Sequence, residues 1–231
     1  MIPPRHIALI PDGNRRLAKR LMEQPWKGHE WGIQKLYNVL DWCREIGIKT
    51  ITVYSLSLEN LAKRPKDELN FLFLLARREM EKILSDPSHQ VNKRRIRMIF
   101  FGRLDLLPLN LQKSISRVME KTKAYKNYTV NFAMAYGGRQ EILAAVNTLS
   151  ATAKGKHITE GMFKKSLLTN GYGDPDLVIR TGGEKRLSNF LPYQTVYSEL
   201  AFLDTFWPEL TKKEFVRVIR DFSSRQRRFG Q

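Results

Sequence analysis

Cysteine is almost absent from this chain: Cys43 is the only one in 231 residues, so no intramolecular disulfide and no thiolate metal cluster can form. Cys43 falls within a helical pattern around Leu40 and is expected to be a small core residue. His6, His89 and His157 have no metal-ligand spacing. Neither a Gly-x-Ser-x-Gly elbow nor a Gly-Lys-Ser/Thr phosphate loop occurs, which removes two common enzyme readings. No apolar run approaches the roughly 18 residues of a membrane span, and residues 1–20 are too polar for a secretory signal. Acid is scarce as well. Asp and Glu number 23 against 40 Lys and Arg, a formal charge of +17, so the partner is expected to be anionic: nucleic acid, an acidic membrane surface or a phosphorylated small molecule. The expectation is a cytoplasmic protein, with peripheral membrane contact through its basic surface.

At 42% hydrophobic residues the chain can bury a full core, and one domain over 1–231 is expected. Residues 7–10 are a short apolar run. In 29–46, Ile33, Leu36, Tyr37, Leu40 and Cys43 recur at helical spacing, and Gly47 stops the pattern. Residues 49–57 are β-branched and read as a strand. The alternation continues with helix 66–84, strand 96–102, helix 109–125, strand 128–136, helix 138–150 and strand 176–181; 151–157 reads as a surface loop. Repeated β-α units specify an α/β fold with a central, mostly parallel sheet flanked by helices, whose ligands sit beyond the carboxyl ends of the strands. Five strand-end segments, at 11–14, 57–60, 102–103, 136–139 and 181–184, carry glycine, charge or amide and are expected to converge on one crevice.

Two of these segments bear most of the chemistry. Asp12-Gly13-Asn14 opens a helix whose start can receive an anion, with Arg15, Arg16, Lys19 and Arg20 adding charge. Asp12 can hold Mg²⁺ together with a substrate's phosphate oxygens; Asp12 or Asn14 can equally be an ordinary N-cap. In "DLVIRTGGEKRLSNF", Arg180, Arg186 and Ser188 are spaced to bring two guanidinium forks and a hydroxyl around a diphosphate, although a basic surface loop has the same composition. His29 either caps the following helix or acts in a site, and Glu199, in a half-buried context, needs an Arg or a metal.

Together these stretches resemble the cis-prenyltransferases typified by undecaprenyl diphosphate synthase. "HIALIPDGNRRLAKR" is similar to that family's opening motif, "WKGHEWG" to its Gly-His-x-x-Gly segment, "YSLSLENLAKRPKDELNFL" to its Ser-x-Glu-Asn-x-x-Arg-Pro region, and "NFAMAYGGRQEI" and "DLVIRTGGEKRLSNFLPYQTVYSELAFLDTFWPEL" to its later signatures. The chain departs from the pattern at Arg15, Leu17, Pro25, Leu61, Arg103 and Lys185, and with one additional residue before Arg64.

The resemblance implies a fold with a hydrophobic tunnel, which helices 33–46 and 66–84 would wall, and a homodimer. It implies condensation of an allylic prenyl diphosphate with isopentenyl diphosphate to a cis-polyprenyl diphosphate. By position, Asp12 would hold Mg²⁺ and help the diphosphate leave. Gly13, Asn14, Arg15, Arg16 and His29 would surround the allylic diphosphate, with His29 and Asn60 as further catalytic candidates. Arg180, Arg186 and Ser188 would bind isopentenyl diphosphate; Arg64 and Asn60 would shape the site; and Glu199 would be a metal or interface carboxylate. Arg228 and Gly230 match a tail motif that in relatives reaches across the dimer interface. Two alternatives remain open: prenyl transfer to a different acceptor, and a non-catalytic subunit of a heteromeric enzyme. No nucleic-acid recognition motif is present, and no nucleic-acid partner is expected.

Overall fold

The structure is a computed structural model that describes residues 2–153, 155 and 157–225. Six strands, β1 (His6–Ile10), β2 (Thr50–Ser57), β3 (Ile96–Phe101), β4 (Tyr128–Tyr136), β5 (Leu177–Arg180) and β6 (Glu199–Phe202), form one sheet in the order β3-β4-β2-β1-β5-β6. Every neighbouring pair is parallel. Helices α1 (Asn14–Arg20), α2 (Pro25–Ile46), α3 (Leu58–Lys63), α4 (Lys66–Ser85), α5 (Gln90–Lys93), α6 (Leu109–Thr122), α7 (Gly138–Thr152), α8 (Glu160–Ser166) and α9 (Lys212–Ser224) connect and flank the strands.

The expected alternation is present, with boundaries that differ by a few residues. β1 and β5 are buried along their whole length, as strands covered on both faces must be. α2 starts at Pro25, so His29 lies inside the helix and does not cap it. α6 ends at Thr122. The short α3 and α8, the edge strand β6 and the C-terminal α9 are additional. α9 carries a full capping box, in which Thr211 Oγ1 accepts from the Glu214 N–H and the Glu214 carboxylate accepts from the Thr211 N–H.

From β1 the chain crosses to one side for β2, β4 and β3, and later returns to the other side for β5 and β6. The loops after β1 and β5 therefore open a crevice at the carboxyl ends of the central strands. One face of the sheet packs on α2, α4, α6 and α9 through the main apolar core. A smaller cluster around Tyr136, Phe190 and Leu191 covers the other face. Near the crevice the β2–β4 register slips at Ser55, while Ala135 takes φ +48°, so both strands bulge where they approach it.

Candidate functional site

Asp12 sits just beyond β1 on a fixed backbone. Its N–H donates to Thr181 Oγ1 at 3.0 Å, and its carbonyl accepts from the Thr181 hydroxyl at 2.8 Å and from the Trp207 N–H at 2.9 Å. Its carboxylate accepts from Arg180 Nη2 at 2.8 Å and the Gly13 N–H at 2.7 Å, with Arg16 Nη2 at 3.1 Å. Burial alone would raise this carboxyl's pKa. The Arg180 hydrogen bond, the Arg16 charge and the Gly13 N–H outweigh it and hold the group below the usual carboxylate range. The helix N-cap is Gly13 at φ +103°, not Asp12 or Asn14, and α1 begins without a side-chain cap. Glycine is required there because a Cβ would lie 2.6 Å from the Phe206 ring.

Arg180, the last residue of β5, is 4% exposed. Besides Asp12 it donates from Nη1 to Ser188 Oγ at 2.8 Å and to the carbonyl of Arg186, while its Nε is buried without a partner among the described residues. Arg180 and Ser188 thus meet as the sequence predicts. The Arg186 guanidinium does not join them. It is exposed and pairs with Glu184, because its backbone carbonyl is already turned towards Arg180.

A second charged cluster forms where α2 and α4 start. Glu68 is buried, with His29 Nε2 at 3.2 Å, Arg64 Nη1 at 3.3 Å and Arg15 Nε at 3.6 Å. Burial, then the Arg64 charge, lower the His29 pKa to about 4 against the pull of Glu68, so His29 is neutral at physiological pH. Sequence reasoning missed Glu68. Its signal was the i,i+4 spacing from Arg64.

Asp12 and Arg16 of the first cluster and Arg15, His29 and Arg64 of the second line an open crevice of about 650 Å³, along with Pro11, Gly13, Asn14, Lys19, Met22 and Glu23. Pro11, Asn14 and His29 also line an apolar cavity of about 200 Å³ that runs between α2, α4 and the sheet. Val130, Phe132 and Met134, alternate residues of β4, form its floor. Tyr37 and Glu79 interrupt its wall: the Tyr37 hydroxyl donates to Glu79, which also has His89 Nε2 at 3.1 Å and Lys82 Nζ at 3.3 Å. A polar, cationic basin continuous with an apolar channel fits a ligand with an anionic head and a hydrocarbon tail.

Other expectations are redistributed. Ser57 caps α3 by accepting from the Asn60 N–H, and the Asn60 side chain is exposed and lines neither the crevice nor the apolar cavity. Loops 57–60, 136–139 and 181–190 interlock through Asn189. Its Nδ2 donates to Glu59 at 2.8 Å, and its Oδ1 accepts from the Arg139 N–H at 2.8 Å. The 102–103 segment stays outside, since β3 is the edge strand and Arg103 forms a two-pronged bond with its neighbour Asp105. Glu199 is not beside Asp12. It starts β6 opposite Leu177, three residues down the ladder from Arg180, and pairs with Arg225, so within one chain it is no ligand to an Asp12-bound metal. Arg228 and Gly230 lie outside the described residues. Among those residues no group of three or more His, Cys, Asp or Glu side chains is placed to hold a metal ion.

Comparison with known proteins gives the family. The prenyltransferase family model, described as undecaprenyl diphosphate synthase, matches residues 10–230. The tritrans,polycis-undecaprenyl-diphosphate synthase (geranylgeranyl-diphosphate specific) of Methanopyrus kandleri is 46% identical over 99% of this chain and 85% of its own length. The protein of the same name from Thermococcus kodakarensis is 46% identical over 99% and 87%. Among solved structures, lavandulyl diphosphate synthase from Lavandula x intermedia in complex with dimethylallyl diphosphate superposes with a TM-score of 0.91 at 30% identity, covering 99% of each chain. With a six-stranded parallel sheet, a family match over residues 10–230 and relatives 46% identical over nearly its whole length, this chain belongs to the undecaprenyl diphosphate synthase family of cis-prenyltransferases, enzymes that transfer prenyl groups with release of diphosphate.

Proposed function

We propose that this chain acts as a single-domain, Mg²⁺-dependent cis-prenyltransferase that extends geranylgeranyl diphosphate with isopentenyl diphosphate to a cis-polyprenyl diphosphate. The observation that carries the reading is the junction at Pro11, Asn14 and His29, where the cationic crevice and the apolar cavity share walls. The geranylgeranyl donor is taken from the names of the archaeal relatives.

In this reading Gly13, Asn14, Arg15, Arg16 and His29 hold the donor diphosphate, with its hydrocarbon in the cavity. Arg64 shapes the crevice rim. Arg180 and Ser188 hold the acceptor diphosphate, and Arg186 joins them by leaving Glu184. Asp12 suits a magnesium ion delivered with substrate. It offers one half-exposed carboxylate without a protein cage, as Mg²⁺ sites completed by phosphate oxygens do. When bound, the ion would neutralise charge on the departing diphosphate. Arg16 stabilises the same charge, an allylic cation develops, the alkene of isopentenyl diphosphate attacks it, and a proton is lost. A homodimer bringing Arg228 and Gly230 of one chain towards its partner's site, and a cytoplasmic location, belong to the same proposal. No helix among the described residues is long and apolar enough to cross a membrane.

The test is incubation of the purified protein with Mg²⁺, labelled isopentenyl diphosphate and allylic diphosphates of increasing length, with a chelator and Asp12→Ala as controls. The expected result is labelled cis-polyprenyl diphosphate, greatest with the geranylgeranyl donor and lost in both controls. Prenyl transfer only to another acceptor, or turnover only after a second subunit is added, would overturn the proposal.

A further inference from the structure

All six strands are parallel, so their amino ends share one end of the molecule, opposite the crevice. The segments leading into β2, β3 and β4, residues 44–49, 93–97 and 121–126, contain nine Lys or Arg against the single acid Glu45, which is paired with Lys212. Lys49, Lys93, Arg95, Arg97 and Lys126 are exposed. Lys49 lies 4.8 Å above the Tyr128 ring and Arg95 4.9 Å above Tyr125. Cations stacked on half-buried tyrosines are suited to a boundary between water and hydrocarbon.

The apolar cavity heads towards this same end. From His29 at its mouth to Cys43, α2 advances about 21 Å at the helical rise per residue. There Leu40, Ile96 and Val130, which line the cavity, also line a neck of about 10 Å³. A space of that size holds about one water. Arg44, Lys49, Arg94 and Tyr128 also line it. Arg94 pairs with Asp41, which also has Arg44 at 3.9 Å, so one carboxylate ties these two arginines together.

We propose that this basic end docks on anionic lipid bilayers, and that the neck at its centre passes the tail of a hydrocarbon chain filling the cavity into the bilayer. Lipid phosphates compete with Asp41 for Arg44 and Arg94, which loosens the neck only when a membrane is present. Nucleic acid is the less fitting partner, because the tyrosine faces are occupied by cations and three of the cations border a small, mostly apolar pocket. Passage of a hydrocarbon rests on the prenyl-transfer reading; docking does not.

The test is sedimentation of the intact chain with vesicles of phosphatidylcholine alone or with 30% phosphatidylglycerol, which requires no turnover. Wild type is expected to bind only the anionic vesicles. The triple variant Lys93→Gln, Arg95→Gln, Lys126→Gln is expected to bind about a hundredfold more weakly, at about 1 kcal/mol per cation. Triple variants of equal charge at Lys113, Lys165 and Lys213, or at Lys19, Arg20 and Lys27 near the crevice, should lose far less. Equal losses in all three variants, a greater loss in the crevice variant, or tighter belt-dependent binding to RNA than to anionic vesicles would each overturn the proposal. For the neck, Ile96→Trp is expected to shorten the products made with anionic vesicles present while leaving vesicle binding unchanged. Unaltered product lengths would refute the exit route, whereas absence of any product from wild type would refute the catalytic reading and leave docking standing.

Discussion

Gly28, in the first turn of α2, gives the sharpest test of how the crevice is held. A Cβ on Gly28 would lie 2.1 Å from the backbone oxygen of Asn14, and ordinary C···O contacts start near 3.3 Å, so Gly28→Ala must move α1 and α2 apart by about 1 Å. Two effects on stability oppose each other. Alanine favours the helix by about 1 kcal/mol, while overpacking costs about 1–3 kcal/mol. The net loss is expected to be no more than about 2 kcal/mol, a fall in Tm of less than about 8 °C for a chain of this size. Activity should suffer far more. The displaced residue, Asn14, stands at the junction of crevice and cavity, and a 1 Å error in positioning costs about a hundredfold. Thermal denaturation and labelled isopentenyl diphosphate incorporation would be measured on the same preparation. Gly161→Ala, whose nearest neighbour would be Thr159 Oγ1 at 4.0 Å, should be slightly stabilising and fully active. A Gly28→Ala enzyme with wild-type kcat/KM would refute the claim that this close approach sets the donor site.

Two further predictions concern stability. Burial lowers the pKa of His6 and of His29 to about 4, so both are neutral in the folded protein. Between pH 6.5 and 4 the unfolded chain binds protons that the folded chain refuses, and stability therefore falls as pH falls, by about 3 kcal/mol per histidine across the window. Urea midpoints should follow that slope, His6→Gln should remove about half of it, and a flat profile from pH 6.5 to 5 would count against buried neutral histidines. The buried Glu141 carboxylate accepts from the Tyr136 hydroxyl at 2.6 Å, from Gln194 Nε2 at 2.9 Å, and from the Thr169 N–H and hydroxyl at 3.2 and 3.3 Å. Glu141→Gln offers one carbonyl oxygen where four donors need two oxygens, so it should cost about 2–4 kcal/mol in chemical denaturation while leaving activity at low temperature intact. An unchanged midpoint would show that the four donors do not depend on the carboxylate.

Much of the fold was legible because its signals are local. Ile7–Ile10 and 49–57 are apolar or β-branched, Ile33 to Cys43 keep helical spacing, and the strand–helix alternation specifies parallel pairing. β6 escaped notice because four residues, none of them fully buried, make a weak strand signal, whereas α9 did carry local signals, the Thr211–Glu214 capping box and the helical spacing of Phe215, Val218, Ile219 and Phe222, that the sequence reading passed over. Asp12, Arg180 and Ser188 could be named in advance since each follows or ends a strand. Phe206 and the Asn189 junction could not, because their partners are 49 to 193 residues away in the chain, and Glu68 had only its spacing from Arg64 as a signal, its His29 partner being 39 residues away.

By itself the sequence determined the α/β class, the parallel order of chemistry-bearing loops, the anion-seeking charge and the family motifs, since propensity, periodicity and net charge are properties of neighbouring residues or of the whole composition. Tertiary structure alone decided that Arg180 clasps Asp12 while Arg186 turns to Glu184, that Glu199 belongs to another end of the sheet, and that Arg44, Lys49 and Arg94 share a small pocket with Leu40, Ile96 and Val130 of the cavity wall. Those outcomes depend on distances between segments remote in the chain, and on which of several charged neighbours burial leaves within reach.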